Sequence, residues 1–260
     1  MNRSRTAALA AGFAVLALLL AAATALADNY VALGDSYSSG VGTREFYEST
    51  CKRSVYAYPR LVAADRAGTN LIFKACSGAT TASVTSEQLG ALSSTTNIVT
   101  ITVGGNDAGF SRIITSCALP WPYSCEGELT EAERFVTTTL PGRLETLYGA
   151  IHADAPNARV IVLDYPRLWM GVNCNLATFF STTEMSRMNH IADLMKTVMQ
   201  ERATAHAFSF EDAIPPFIGH AICSESEWLN GLSNPVEESY HPNRTGHRSG
   251  YEPLVRAVIG

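Results

Sequence analysis

Residues 31–40 read Val-Ala-Leu-Gly-Asp-Ser-Tyr-Ser-Ser-Gly. A short apolar strand, Tyr30–Leu33, runs straight into a Gly-Asp-Ser turn. Open α/β sheets keep their ligand crevices outside the carboxyl ends of the strands, so this turn sets the Ser36 hydroxyl where a bound molecule would lie. A serine hydroxyl is a weak nucleophile that needs a neighbouring base and donors for a developing oxyanion. Gly-Asp-Ser alone is also an ordinary turn, so its meaning depends on what the rest of the chain supplies.

Outward from that strand, strand-like and helix-like runs alternate. Leu71–Lys74, Asn97–Val103, Arg159–Leu163 and Ala207–Phe210 read as further strands, with Asn97–Val103 the richest in β-branched residues. Tyr58–Arg66, Thr130–Thr138, Leu144–Ala153, Thr182–His206 and Gly246–Ile259 read as helices, with Pro141 expected to interrupt the second, which resumes as Leu144–Ala153. Strand alternating with helix predicts a parallel sheet covered on both faces. With no repeat or linker in view, residues 28–260 read as a single α/β domain.

The chain offers partners for the serine. Gly104-Gly105-Asn106-Asp107 ends the most strand-like run. Its glycines are read as letting the backbone approach a ligand, and the Asn106 amide as an oxyanion donor. Cys76-Ser77-Gly78 follows another strand, which makes the Gly78 amide a second donor. Near the C-terminus stands Tyr240-His241-Pro242-Asn243. A neutral imidazole is a suitable general base for Ser36, and His241 has surroundings that His152, His190, His206 and His220 lack; His247 is the runner-up. Asp35 and Asp107 are read as braces of their turns. The Gly-x-Ser-x-Gly elbow of standard α/β-hydrolases is absent, as is a phosphate loop.

The N-terminus has the layout of a secretory leader: Arg3 and Arg5, an apolar run Ala7–Ala23, then Ala25-Leu26-Ala27. Cleavage after Ala27 gives an exported protein beginning near Asp28; retention would leave a membrane anchor. Without Arg3 and Arg5 the chain carries 17 basic and 24 acidic residues, a net charge of −7. No basic run stands out, so nucleic acid is excluded as a partner. Cys51, Cys76, Cys117, Cys125, Cys174 and Cys223 all follow the leader, and six cysteines in an exported chain suggest three disulfides, with fifteen pairings open. No C-x-x-C pair or other metal motif occurs, and neither metal nor cofactor is expected.

The four segments together resemble the GDSL, or SGNH, hydrolases. Gly-Asp-Ser-Tyr-Ser-Ser-Gly (34–40), Gly78, Gly-Gly-Asn-Asp (104–107) and Tyr-His-Pro-Asn (240–243) stand in that family's order, and the likeness is nearest to the secreted actinomycete lipases, phospholipases A1 and esterases within it. The resemblance implies a flavodoxin-like three-layer α/β/α sandwich with a central parallel sheet. It implies Ser36 as nucleophile, His241 as base, and an oxyanion hole from the Ser36 and Gly78 amides and the Asn106 side chain. It also implies the pairing Cys51–Cys76, Cys117–Cys125, Cys174–Cys223. Many members carry an aspartate three residues before the histidine, where this chain has Glu238. Either Glu238 orients His241, or the Ser239 carbonyl does so while Glu238 faces water.

The expected activity is hydrolysis of carboxylic esters, lipid or fatty-acyl ones first. A carbohydrate O-acetylesterase and a secreted binding module without activity stay open. Apolar segments around Cys117–Cys125 and Cys174 suit an acyl chain or a transient contact with a lipid surface, or else pack the core. The chain is expected to work as a monomer.

Overall fold

Tyr30, Val31, Ala32 and Leu33 have no exposed surface, because both faces of their strand are covered. In the computed structural model, which describes residues 28–260, they form β1 (Asn29–Gly34). The leader read at residues 1–27 lies outside the described residues. With β2 (Asn70–Phe73), β3 (Ile98–Thr102), β4 (Arg159–Leu163) and β5 (Ser209–Glu211), β1 builds a five-stranded sheet in the order β2-β1-β3-β4-β5. Every pairing is parallel; Val31 stands opposite Ile72 on one side and Val99 on the other. Uninterrupted apolar strands suit a sheet buried on both faces.

One-turn helix α1 (Ser36–Ser39) follows β1 at once. On one side of the sheet α2 (Tyr58–Asp65) packs with α8 (Glu252–Ile259). On the other side lie α5 (Glu126–Thr138), α6 (Leu140–Asp154) and α7 (Thr182–Ala205), which pack on one another. Two short helices, α3 (Thr81–Ser83) and α4 (Phe110–Cys117), sit at the carboxyl ends of β2 and β3. The architecture is the three-layer α/β/α sandwich the sequence led to expect. From β1 the chain goes out to the edge strand β2 and then returns past β1 to β3. Connections on the two sides of that reversal diverge, which opens a crevice at the carboxyl ends of β1 and β3.

α7 forms because Met185, Met188, Ile191, Met195 and Val198 recur at helical spacing and are buried. Its start is fixed by a capping box: the Glu184 N–H donates to Ser181 Oγ (3.2 Å), and the Ser181 N–H to Glu184 Oε2 (2.8 Å). Some boundaries differ from expectation. The expected break falls at Thr139, and Pro141 stands just after it, in the first turn of α6, where its missing N–H costs nothing. α5 begins at Glu126, before the expected Thr130, directly behind Cys125. The C-terminal helix is split into a π-type turn (Gly246–Tyr251) and α8. α1, α3 and α4 were not expected; each is too short to show a period.

Disulfides join Cys51 to Cys76, Cys117 to Cys125 and Cys174 to Cys223. The first staples the segment after α1 to the Gly78 loop. The third closes a 49-residue separation, which in a chain-entropy picture is worth roughly 4 kcal/mol.

Candidate active site

The crevice is built by four loops. Asp35 caps α1: its Oδ1 accepts from the Tyr37 N–H (2.9 Å), while its own N–H donates to the Thr102 carbonyl (3.0 Å). Ser36 is thereby fixed as the first residue of a single helical turn at the end of β1. It is 8% exposed.

His241 arrives from the far end of the chain. Its Nε2 lies 2.8 Å from Ser36 Oγ, and its Nδ1 lies 2.7 Å from the Ser239 carbonyl oxygen. A carbonyl only accepts, so Nδ1 carries the proton and Nε2 presents a lone pair to the serine hydroxyl. Burial disfavours the imidazolium and pushes His241 down to about 4, against an opposing pull from the Ser239 carbonyl; Lys52 lowers it further. Tyr37 packs against the ring at a tilt and Phe110 edge-on, at 5.2 and 6.2 Å between centroids. The turn that brings the Ser239 carbonyl back onto the imidazole uses a left-handed Tyr240 (φ +60°). Its strain, about 1 kcal/mol for a non-glycine residue, is held by the Tyr37 hydroxyl donating to the Tyr240 carbonyl (2.8 Å) and by the Tyr240 N–H donating to Asn230 O (2.9 Å).

Glu238 does neither of the two things considered for it. It does not touch the imidazole, and it does not face water, being 2% exposed. Its Oε2 accepts from the N–H groups of Gly42 (2.5 Å) and Arg44 (3.3 Å), and the Asn230 amide donates to the carbonyls of both Glu238 (3.0 Å) and Gly42 (2.8 Å). The extra methylene carries the carboxylate past the histidine to the loop that follows α1. There the two segments meet so closely that a β-carbon at Gly42 would stand 2.3 Å from the Pro242 carbonyl oxygen.

The Asn106 Nδ2 donates one hydrogen to the Ala79 carbonyl (3.0 Å), which leaves a second for a ligand. Neither the Ser36 nor the Gly78 N–H donates a hydrogen bond among the described residues. Asp107 accepts from the Thr81 N–H (2.8 Å), the Thr81 hydroxyl (2.7 Å) and Arg143 (2.7 Å), tying the β3 loop to α3. Gly105 lines the cleft beside Asn106, and both Gly104 and Gly105 also accommodate neighbouring side chains. Their β-carbon positions are crowded at 3.2–3.3 Å by Leu140, Met195 and the Tyr165 ring, so the glycines admit core side chains.

Two positioning residues carried no sequence signal. Gln88 clamps Gly34 with both ends of its amide, at 2.8 and 2.9 Å. Tyr165, at the end of β4, accepts from the Gly105 N–H (3.0 Å) and donates to Asp35 Oδ2 (2.5 Å). Burial pushes Asp35 up to about 7 despite hydrogen bonds from Tyr165 and Tyr37 that favour the carboxylate. Asp35 thus braces the loops, and nothing links it to the imidazole. His247, the runner-up base, is fully buried; its Nδ1 accepts from the Tyr58 N–H (3.2 Å), and burial pushes it down to about 3.

Behind Ser36 an apolar cleft opens between α4 and α7, lined by Phe110, Ile113, Leu168, Met188, Ile191 and Met195. It encloses about 650 Å³ counted out to its open mouth. Among the described residues, both clusters with metal-ligand spacing consist of a disulfide and one glutamate, and a disulfide has no thiolate to offer.

The chain is similar in sequence and fold to known proteins. Residues 32–249 match the model of the GDSL-like Lipase/Acylhydrolase family. Lipase 1 of Streptomyces coelicolor is 46% identical over 256 residues, covering 96% of this chain and 94% of that protein. The crystal structure of an extracellular lipase from Streptomyces rimosus superposes with a TM-score of 0.84 at 42% identity, over 89% of this chain and 99% of that one. Phospholipase A1 from Streptomyces albidoflavus NA297 gives 0.83 at 40% identity, over the same shares. The chain belongs to the GDSL-like lipase/acylhydrolase family.

Proposed function

We propose that this carboxylic ester hydrolase cleaves lipid or fatty-acyl esters outside the cell, after loss of residues 1–27, by two-step acyl transfer through Ser36. The observation that carries the mechanism is the 2.8 Å contact between Ser36 Oγ and a His241 Nε2 whose proton sits on the other ring nitrogen. Ser36 Oγ attacks the ester carbonyl as Nε2 takes its proton. The tetrahedral oxyanion accepts from the Ser36 and Gly78 N–H groups and the Asn106 side chain. The imidazolium then gives its proton to the leaving alcohol oxygen, and the carbon–oxygen bond breaks to leave an acyl-enzyme. Water, deprotonated by the same nitrogen, releases the acid and restores the Ser36 hydroxyl.

The apolar cleft behind Ser36 supports an acyl chain, because it offers burial and few polar groups to one. The lipase and phospholipase A1 relatives point the same way. A series of p-nitrophenyl esters tests the substrate class: kcat/KM is expected to rise from acetate towards longer acyl groups, whereas a sharp optimum at acetate would replace this reading with a carbohydrate O-acetylesterase.

The Ser239 carbonyl supplies the orienting contact, and Glu238 acts on it at one remove, through the loop it holds. Glu238→Gln keeps an acceptor for the Gly42 N–H. It is therefore expected to cost less than roughly tenfold in kcat; a loss near 10⁴-fold, as for a triad aspartate, would assign the carboxylate to the imidazole instead.

A further inference from the structure

Seven of the thirteen exposed large apolar side chains among the described residues fall in two short loops, 118–123 and 170–179. The first is Ala-Leu-Pro-Trp-Pro-Tyr, in which Leu119, Trp121 and Tyr123 stand out, Trp121 being 91% exposed. The second displays Met170, Leu176 and Phe179. The Cys117–Cys125 and Cys174–Cys223 disulfides staple them, and the Phe179 N–H donates to the Ala118 carbonyl (3.2 Å), so the loops form one crest. Neither loop contains a charged residue.

The crest borders the site. Phe180, next to the exposed Phe179, turns inward onto Trp169 (4.6 Å) and onto Tyr240 (5.8 Å), the neighbour of His241. α4, which lines the cleft, leads into loop 118–123, and α7, which lines the opposite side, begins just after loop 170–179.

Part of the crest's polar backbone is already satisfied within the protein. Pro120 and Pro122 have no N–H. The Leu119 N–H donates to Ser116 O (3.3 Å) and the Tyr123 N–H to Pro120 O (3.1 Å). In the second loop Asn173 turns inward: its Oδ1 accepts from the Asn175 N–H (3.1 Å) and the Thr178 hydroxyl (3.2 Å), and its Nδ2 donates to Thr178 O (2.8 Å). Polar groups already bonded within the protein can leave water without the usual penalty.

We propose that this crest seats the enzyme on an uncharged or zwitterionic lipid surface, with Trp121 and Phe179 inserted among the acyl chains and the cleft mouth facing the lipid. The inference rests on the lipid-ester reading above. Adsorption is driven by apolar area, since the crest offers no cation to an anionic headgroup and the exported chain carries a net charge of −7. Binding therefore does not depend on salt.

The test uses the exported protein carrying Ser36→Ala, so that lipid is not consumed, with vesicles of dioleoylphosphatidylcholine. Trp121 is the reporter: Trp169 is buried, and Trp228 is stacked on His220 at 3.8 Å. Its emission is expected to shift to the blue and to be quenched by lipids brominated along the acyl chain, equally at about 0.05 and about 1 M NaCl. Adding Trp121→Ser and Phe179→Ser is expected to weaken vesicle binding, read by co-sedimentation, at least tenfold. The same pair with Ser36 intact should leave kcat/KM on soluble p-nitrophenyl butyrate unchanged. All forms share one N-terminus, so residues 7–23, if retained, contribute equally. Unchanged binding by the pair, binding confined to anionic vesicles and lost in salt, or a Trp121 already shielded in a dimer that the pair dissociates would each overturn the proposal. Failure to hydrolyse the soluble ester would instead remove the hydrolase reading and leave the vesicle result standing.

Discussion

Ser36→Ala is expected to lower kcat on a soluble p-nitrophenyl ester by about 10⁵-fold or more. The alanine removes the hydroxyl proposed to form the acyl-enzyme. What would remain is the proposed oxyanion donors acting on water-mediated hydrolysis, a residue of about 10³–10⁴ over the uncatalysed rate. The fold should be unaffected, because α1 is capped by the Asp35 side chain and backbone and not by the Ser36 hydroxyl. The substitution deletes a single side-chain hydrogen bond, to His241 Nε2, and burial already holds that imidazole neutral at ordinary pH. The unfolding midpoint should therefore move by less than about 3 °C. Ester hydrolysis retained within a hundredfold would exclude Ser36 as the nucleophile. A wild-type protein inert on all esters would leave a secreted binding module.

Asn106→Ala is expected to lower kcat by about 10²–10³-fold, or roughly 3–4 kcal/mol of barrier, with KM changed little. The split follows from charge: a neutral ester carbonyl asks little of the amide, whereas the oxyanion asks for a short, charge-assisted hydrogen bond. The variant also loses the bond from Nδ2 to the Ala79 carbonyl, worth about 1 kcal/mol of stability. A purely structural role would therefore lower the unfolding midpoint without the selective fall in kcat. A kcat within about threefold of the parent would leave the Ser36 and Gly78 amides as the whole oxyanion site.

Much of the scaffold was legible because a parallel sheet buried on both faces leaves a coarse mark. Apolar β-branched runs such as Ile98–Thr102 and Arg159–Leu163 stand between amphipathic stretches, and the structure finds strands in both places. The short helices were not legible, since one or two turns contain no period to read. Tyr165 and Gln88 were invisible for a related reason: each is a single side chain whose partners, Asp35 with Gly105 and Gly34, lie 130, 60 and 54 positions away. The two apolar loops show the same limit residue by residue. Phe179 and Phe180 are identical and adjacent, yet one faces solvent and the other packs on Trp169.

From the amino-acid order alone came the alternating strand and helix pattern, a serine at a strand end, and the histidine best suited to serve it, because these depend on local composition and on turn chemistry. Which acceptor holds the imidazole was decided only in three dimensions. Glu238 and Ser239 are consecutive, and chain spacing does not separate a carboxylate from the next carbonyl. The left-handed Tyr240 swings the Ser239 oxygen onto Nδ1, while the longer glutamate reaches the amides of Gly42 and Arg44. That choice belongs to packing between segments about 195 residues apart, and no local propensity encodes it.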